Sequence, residues 1–299
     1  MKKHFFPEIF LIFVIFAFNA FGDESEKPEY AYVDNGAIRL GVDLESGGSV
    51  FYFSKSVNRR NLLNHFDRGR FIQQSFYGDK DGSYWGEQEW AWNPVQGGDY
   101  KGRPAQLADL ACTTNTIYCK TIPRHWASGD EITNSVMEQW ISLNEEVAHI
   151  RYRFSYNGDH SHNPADQEMP AVFADYALDR LIFYNGDRPW KNDNMTVVVP
   201  GWPNEYYKRT EERSAYVNKE NRGLGVYTPG TPDITCYRFK GPSGPAGSGC
   251  SYFAPIRKFA ITKDLRLEYD VFITIGKIDE IRERFYEIRS ERQSLNLKR

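Results

Sequence analysis

The chain has 299 residues, with 37 Lys and Arg against 40 Asp and Glu and a formal charge of −3. Its apolar fraction of 40%, including 15% aromatic residues, excludes a collagenous, low-complexity or fully disordered chain, because enough apolar surface exists to offset the entropy of ordering a large domain. The near balance of charge also excludes a nucleic-acid partner held through a basic surface, since no excess of Lys and Arg is present to displace counterions.

In chain order, the first element is a secretory signal peptide over residues 1–22. Lys2 and Lys3 precede an unbroken apolar run over residues 9–18, and Ala20-Phe21-Gly22 supplies small residues at the positions a signal peptidase reads. That run is shorter than the roughly 20 residues needed to cross a bilayer. The expectation is a secreted or periplasmic mature chain of about 277 residues with no membrane association after cleavage. Seven of the 20 Phe fall in this leader, whereas all 19 Tyr and all 7 Trp follow it, so the mature chain favours aromatics with a polar handle.

Residues 23–29 read as a loose leader to one domain spanning 23–299. Ile38, Leu40, Val42 and Leu44 alternate with other residues up to a Gly47-Gly48 turn, and residues 50–53 return, which predicts a hairpin. A second hairpin pairs residues 137–143 with a strand marked by Ile150, Tyr152, Phe154 and Tyr156, across a turn at Asn144-Glu145-Glu146. The clearest alternation runs through Leu265, Leu267, Tyr269, Val271, Ile273 and Ile275. Helical spacing is confined to residues 279–292, where Ile281, Phe285 and Ile288 recur among charges. Strands along the whole chain, with turns rich in Gly, Pro, Asn and Asp, predict an all-β class: a two-sheet antiparallel β-sandwich with a short C-terminal helix.

Cys112, Cys119, Cys236 and Cys250 form two sequence-local pairs. In an oxidising compartment this favours Cys112 with Cys119 and Cys236 with Cys250 among three possible connectivities. The second bridge would staple the glycine-rich loop that contains Gly241-Pro242-Ser243-Gly244-Pro245. Neither spacing resembles a zinc site. His160 and His162 flank Ser161 and could share a strand face as metal ligands, but Asp159, Asn163 and Pro164 favour a solvated turn, so neither metal nor cofactor is expected.

Residues 61–99 hold the densest functional signal. Asn64, His65, Asp67, Arg70, Gln73, Gln74, Asn93, Gln96 and Asp99 interleave with Tyr77, Trp85, Trp90 and Trp92. Aromatic faces stack on the C–H face of a pyranose while amides, carboxylates, Arg and His bond its hydroxyls, so this composition suits a sugar site.

Several stretches carry a resemblance to a known group. These are residues 35–43 with Gly47-Gly48-Ser49-Val50, Asn64-His65-Phe66-Asp67-Arg68-Gly69-Arg70, and Trp92-Asn93-Pro94-Val95-Gln96-Gly97-Gly98-Asp99. With Gln167-Glu168-Met169-Pro170, residues 223–230 and Ala254-Pro255-Ile256-Arg257, they resemble uncharacterised secreted bacterial proteins related to the galactose mutarotase-like, aldose 1-epimerase-like proteins. The resemblance spans almost the whole mature chain. It implies a carbohydrate-binding supersandwich with a concave face that receives sugar.

Mutarotase chemistry needs a base at the anomeric hydroxyl and an acid at the ring oxygen. By role, Glu168 is the expected base and His65 the expected acid, with Asp99 a third candidate catalytic group. Asp67, Arg70, Gln74, Trp92, Asn93 and Gln96 are the expected substrate-binding residues. Two carboxylates drawn from Asp67, Asp99 and Glu168 would instead suit glycoside hydrolysis. The expected partner is a mono-, oligo- or polysaccharide. A non-catalytic carbohydrate-binding module and a structural or envelope interaction protein are the alternatives, and the oligomeric state is left open.

Overall fold

The computed structural model describes residues 28–65, 69–241 and 249–296. The expected signal peptide and Asp67 lie outside the described residues, as does most of the loop between Cys236 and Cys250.

Nine antiparallel strands form the larger sheet, in the spatial order Thr196–Val198, Arg180–Phe183, Arg213–Val217, Arg222–Tyr227, Leu265–Lys277, Val147–Tyr156, Ser135–Asn144, Thr116–Ile122 and Gln106–Cys112. The three hairpin and strand patterns expected from the sequence lie in or beside this sheet. Their period of two is visible because one face of each strand is buried and the other is not. Ile150, Tyr152, Phe154 and Tyr156 face the core, and Arg151 between them is exposed.

The facing sheet has seven strands, in the order Arg124–His125, Pro94–Val95, Gln73–Ser75, His162–Asp175, Cys250–Ile261, Asp233–Phe239 and Glu205–Lys208. A third sheet of Tyr30–Asp34, Ile38–Asp43 and Ser49–Lys55 closes one end of the sandwich, and Lys80–Trp85 pairs with Gln88–Ala91 as a separate hairpin. One continuous apolar core lies between the two large sheets, including Phe53, Ile72, Phe76, Ile141, Phe154, Val172, Phe253 and Val271. The architecture is the expected all-β antiparallel sandwich with one C-terminal helix.

That helix, Ile278–Asn296, covers the outer face of the nine-stranded sheet. Glu280 accepts from the Lys277 backbone N–H at 2.8 Å, satisfying one donor at the helix start. Ile281 and Phe285 are fully buried against Ala215, Val217, Tyr227 and Phe272. The approach is close because Gly225 has no side chain: a Cβ there would stand 2.3 Å from Ile281 Cγ2. Arg284 reaches back to Thr274, and Arg292 pairs with Asp270 at 2.7 Å.

Neither expected disulfide forms among the described residues. On the edge pair of the large sheet, Cys119 sits opposite Leu110 and Cys112 opposite Ile117, so the two cysteines are diagonal neighbours. Diagonal side chains stand about 7–8 Å apart, too far for a bond that needs Cβ atoms within about 4 Å. Cys236 and Cys250 are worse placed. Cys236 pairs with Phe253 and Cys250 with Phe239, three residues out of step, so their side chains leave opposite faces of the sheet. Cys236 packs in the sandwich core, while Cys250 packs with Ala171, Phe173 and Tyr252 on the outer face.

Candidate functional site

That outer face of the seven-stranded sheet forms one wall of a cavity of about 620 Å³. Its floor comes from alternate residues of adjacent strands: Ser75, Glu168, Ala171, Phe173, Thr235, Tyr237, Tyr252 and Ile256. Glu168 sits opposite Ser75 on one side and Ile256 on the other. A β-bulge follows it. Three residues lie between Glu168 and Val172, while only two lie between their partners Ile256 and Phe253. Before the bulge Gln167 and Met169 point inward; after it Val172 and Ala174 do, and Ala171 and Phe173 face the cavity.

Aromatic side chains make the remaining walls. Trp90 meets Tyr77 at 6.4 Å and Trp85 at 5.0 Å, and Trp85 meets Trp126 at 6.2 Å, all edge to face. Arg70 lies over Trp126 at 5.7 Å. Across the cavity Trp202 meets Tyr237 edge-on at 5.0 Å, and Tyr237 stacks on Tyr252 at 4.5 Å. Edge-to-face packing fixes ring orientation and leaves faces open for a ligand. Asn93 locks one of these rings by accepting from Trp90 Nε1 at 3.1 Å, and it donates to Ser75 Oγ at 3.2 Å and to the Phe76 carbonyl at 2.7 Å.

Glu168 is the acid on the floor. Tyr77 Oη donates to its Oε1 at 3.1 Å, and Tyr252 Oη donates to the same oxygen. Burial raises the carboxyl above the ordinary 4.5 of glutamate, although hydroxyls of Tyr252, Ser75 and Tyr77 oppose the shift. Burial, reinforced by the adjacent Glu168 charge, lifts both phenols well above their ordinary value. Both tyrosines therefore stay protonated as donors while the carboxyl exchanges its proton closer to neutrality. The arrangement can move a proton at a group placed against Glu168.

No family model matches this chain, and no curated protein matches it. Solved structures do. A galactose mutarotase-like protein from Lactobacillus casei ATCC 334 superposes with a TM-score of 0.56 over 83% of this chain and 100% of its own, at 10% identity. A galactose mutarotase related enzyme from Lactobacillus acidophilus gives 0.52 over 83% and 97%, at 8% identity. A TPR-domain containing protein from Parabacteroides distasonis ATCC 8503 gives 0.52 over 81% of this chain and 46% of that one, at 10% identity. The fold is mutarotase-like. At such identities the likeness is one of fold, and the same sandwich serves chains of different composition.

Within this mutarotase-like sandwich, Glu168, Arg70 and Asn93 line the cavity, and the other described residues expected to form the site do not. His65 is half-buried on the segment before the Gln73–Ser75 strand, with Nδ1 3.0 Å from the Leu63 carbonyl. Asp99 is fully buried inside a turn, where Oδ1 accepts from the backbone N–H groups of Lys101 and Arg103, and Oδ2 pairs with Arg103 Nε at 2.5 Å. Trp92 stacks on His162 at 4.3 Å at the core edge.

Gln74 and Gln96 point between the sheets because their chain neighbours, Gln73, Ser75 and Val95, take the cavity face. Gln96 accepts from the Gln74 backbone and donates to Gln139 at 3.0 Å and to the Gly47 carbonyl at 3.3 Å. These amides latch the Gly47-Gly48 turn, whose left-handed backbone, with φ of 58° and 71°, favours glycine. Sequence reasoning missed Trp126, Trp202, Tyr206, Tyr237 and Tyr252, which arrive from distant segments. The run Trp202-Pro203-Asn204-Glu205-Tyr206-Tyr207 was the available signal, being another aromatic and polar mixture like that of residues 61–99.

Proposed function

We propose that the protein binds a carbohydrate in the aromatic cavity and acts on it through Glu168 as general acid/base. The observation that carries this reading is one carboxyl, raised by burial and held by two tyrosine hydroxyls on a single oxygen, on the floor of a cavity walled by tryptophan and tyrosine faces. The fold likeness to galactose mutarotase-like proteins supports the substrate class.

In the mutarotation reading, ionised Glu168 takes the proton of the anomeric hydroxyl, and a neutral donor protonates the ring oxygen. His65 lies outside the cavity lining, so the donor role falls to a tyrosine hydroxyl, Tyr77 or Tyr252, whose acidity rises once Glu168 has taken the anomeric proton and lost its charge. Asp166 favours glycoside hydrolysis as a second reading. It lines the cavity two residues before Glu168 on the same strand face, about 7 Å away along the strand. The expected signal peptide supports action outside the cytoplasm.

The test is a glycan array followed by product analysis on each hit, with the wild type and Glu168→Gln. Turnover should fall roughly 10²- to 10⁴-fold in the variant while sugar affinity persists. Equal turnover in both proteins would remove Glu168 from the chemistry. Binding without turnover in the wild type would make the protein a carbohydrate-binding module. Monosaccharide anomers interconverting without bond cleavage would select mutarotation over hydrolysis.

A further inference from the structure

Just beyond Tyr77, on the connection between the strands Gln73–Ser75 and Lys80–Trp85, an aspartate converges with two histidines. Asp79, His160 and His162 each offer one ligand atom, and these atoms lie within 4.8 Å of one another. Asp79 Oδ2 is 3.2 Å from His160 Nε2 and 3.8 Å from His162 Nδ1. In a tetrahedral zinc site with bonds of about 2.0–2.2 Å, neighbouring ligand atoms stand about 3.3–3.6 Å apart. Shifts of a few tenths of an ångström along these two edges, and closure of the two imidazoles, would put one ion in bonding distance of all three.

We propose that Asp79, His160 and His162 form a structural site for a divalent transition-metal ion, with zinc the best fit. Two imidazoles and one carboxylate are a borderline donor set that zinc accepts, leaving a fourth position for water. The outer contacts already orient the ligands. Asn163 donates to Asp79 Oδ1 from its side chain at 2.8 Å, and its backbone N–H is shared between Oδ1 at 3.2 Å and Oδ2 at 3.3 Å, which fixes the carboxylate beside the histidines.

The His162 ring is nearly buried and held by stacking on Trp92. Its Nδ1 accepts from the Asp79 backbone N–H at 3.2 Å, so Nδ1 carries the lone pair that a metal requires, and the ion would take that donor's place. Asp81 lies close enough to add negative potential at His162.

The site is separate from the proposed sugar cavity, since none of the three residues lines it. Asp79 immediately precedes the hairpin Lys80–Trp85 and Gln88–Ala91, while His162 begins the strand that carries Glu168. A bound ion would therefore pin the base of the hairpin that presents Trp85 and Trp90 to the strand that presents the acid.

The experiment titrates untagged, chelator-stripped protein with ZnCl2 by calorimetry at pH 7.5, in a Cys112→Ser background because that thiol is exposed. One zinc ion per chain and a Tm raised by about 3 °C or more are expected at saturation. His160→Ala should weaken zinc binding at least tenfold and abolish the Tm rise. The His160 side chain is 68% exposed, so its removal leaves folding intact. Asp159→Ala, a change at a neighbouring exposed acid, should leave both readouts at the parent level. Absence of zinc binding, or equal affinity in His160→Ala and its parent, overturns the proposal.

Discussion

Glu168 combines an ionisable group with a surrounding that resists its charge. Because its folded pKa lies above the ordinary glutamate value, the native state holds more protons than the unfolded state between the two values. Stability therefore falls as pH rises through that window and stays lower beyond it. Glu168→Gln removes the penalty, and the amide oxygen can still accept from both Tyr77 and Tyr252, since both donate to one oxygen of the carboxyl. The variant should melt a few degrees above the wild type at pH 7.5, with the gap closing near pH 4. Equal melting temperatures at pH 7.5 would mean that the carboxyl carries no such cost. Stabilisation on removal of the residue proposed to act on the substrate is the pattern expected where function and stability compete.

At the scale of elements, Asp270 links the helix Ile278–Asn296 to the sheet beneath it. Asp270 is held at about 2, first by its hydrogen bond with His149 at 2.8 Å and then by Arg292 of the helix, against the opposing effect of burial. The sign is opposite to that of Glu168. The stabilisation is complete above the ordinary aspartate value and is lost as pH falls from about 3.8 through about 2. Asp270→Asn should lower Tm at pH 6, and the difference from wild type should shrink below pH 3; helix amides near residue 292 should exchange faster. A pH-independent difference would assign the loss to packing instead.

The helix and the long hairpins were legible in the sequence because each buries one face only. Ile281 and Phe285 recur at helical spacing, and Ile150 to Tyr156 at a spacing of two. The strands Gln73–Ser75 and Pro94–Val95 were not legible, since three and two residues are too few to show a period. That is why Gln74 and Gln96 read as ligand-binding when their amides serve the interior.

For the whole molecule, the sandwich stands without covalent cross-links. Burial pushes the Cys119 and Cys236 thiols up to about 12, which makes them poor nucleophiles and slow to oxidise. A reductant should leave Tm unchanged. A drop of several degrees on reduction, as expected for loss of a native disulfide, would contradict this arrangement. The cavity was half legible for a related reason. Residues 61–99 announced an aromatic and polar wall, and Glu168 was recognisable. The opposite wall comes from Trp202, Tyr237 and Tyr252, which only sheet topology brings to the same place.

The bulge after Glu168 gives the strand a change of phase. Upstream, even-numbered residues from Asp166 face the cavity; downstream, odd-numbered ones do, so a single stretch of chain is read in two frames. Loss of one residue between Glu168 and Val172 would bring the frames into line, with Glu168 still on the cavity face and Met169 and Val172 still inside, whereas loss of a residue farther along the strand would turn the side chains beyond it to the other face. Length is therefore constrained less tightly at the bulge than along the rest of the strand. Descendants of this sequence should accept loss of one residue at the bulge more readily than loss of one elsewhere in the strand.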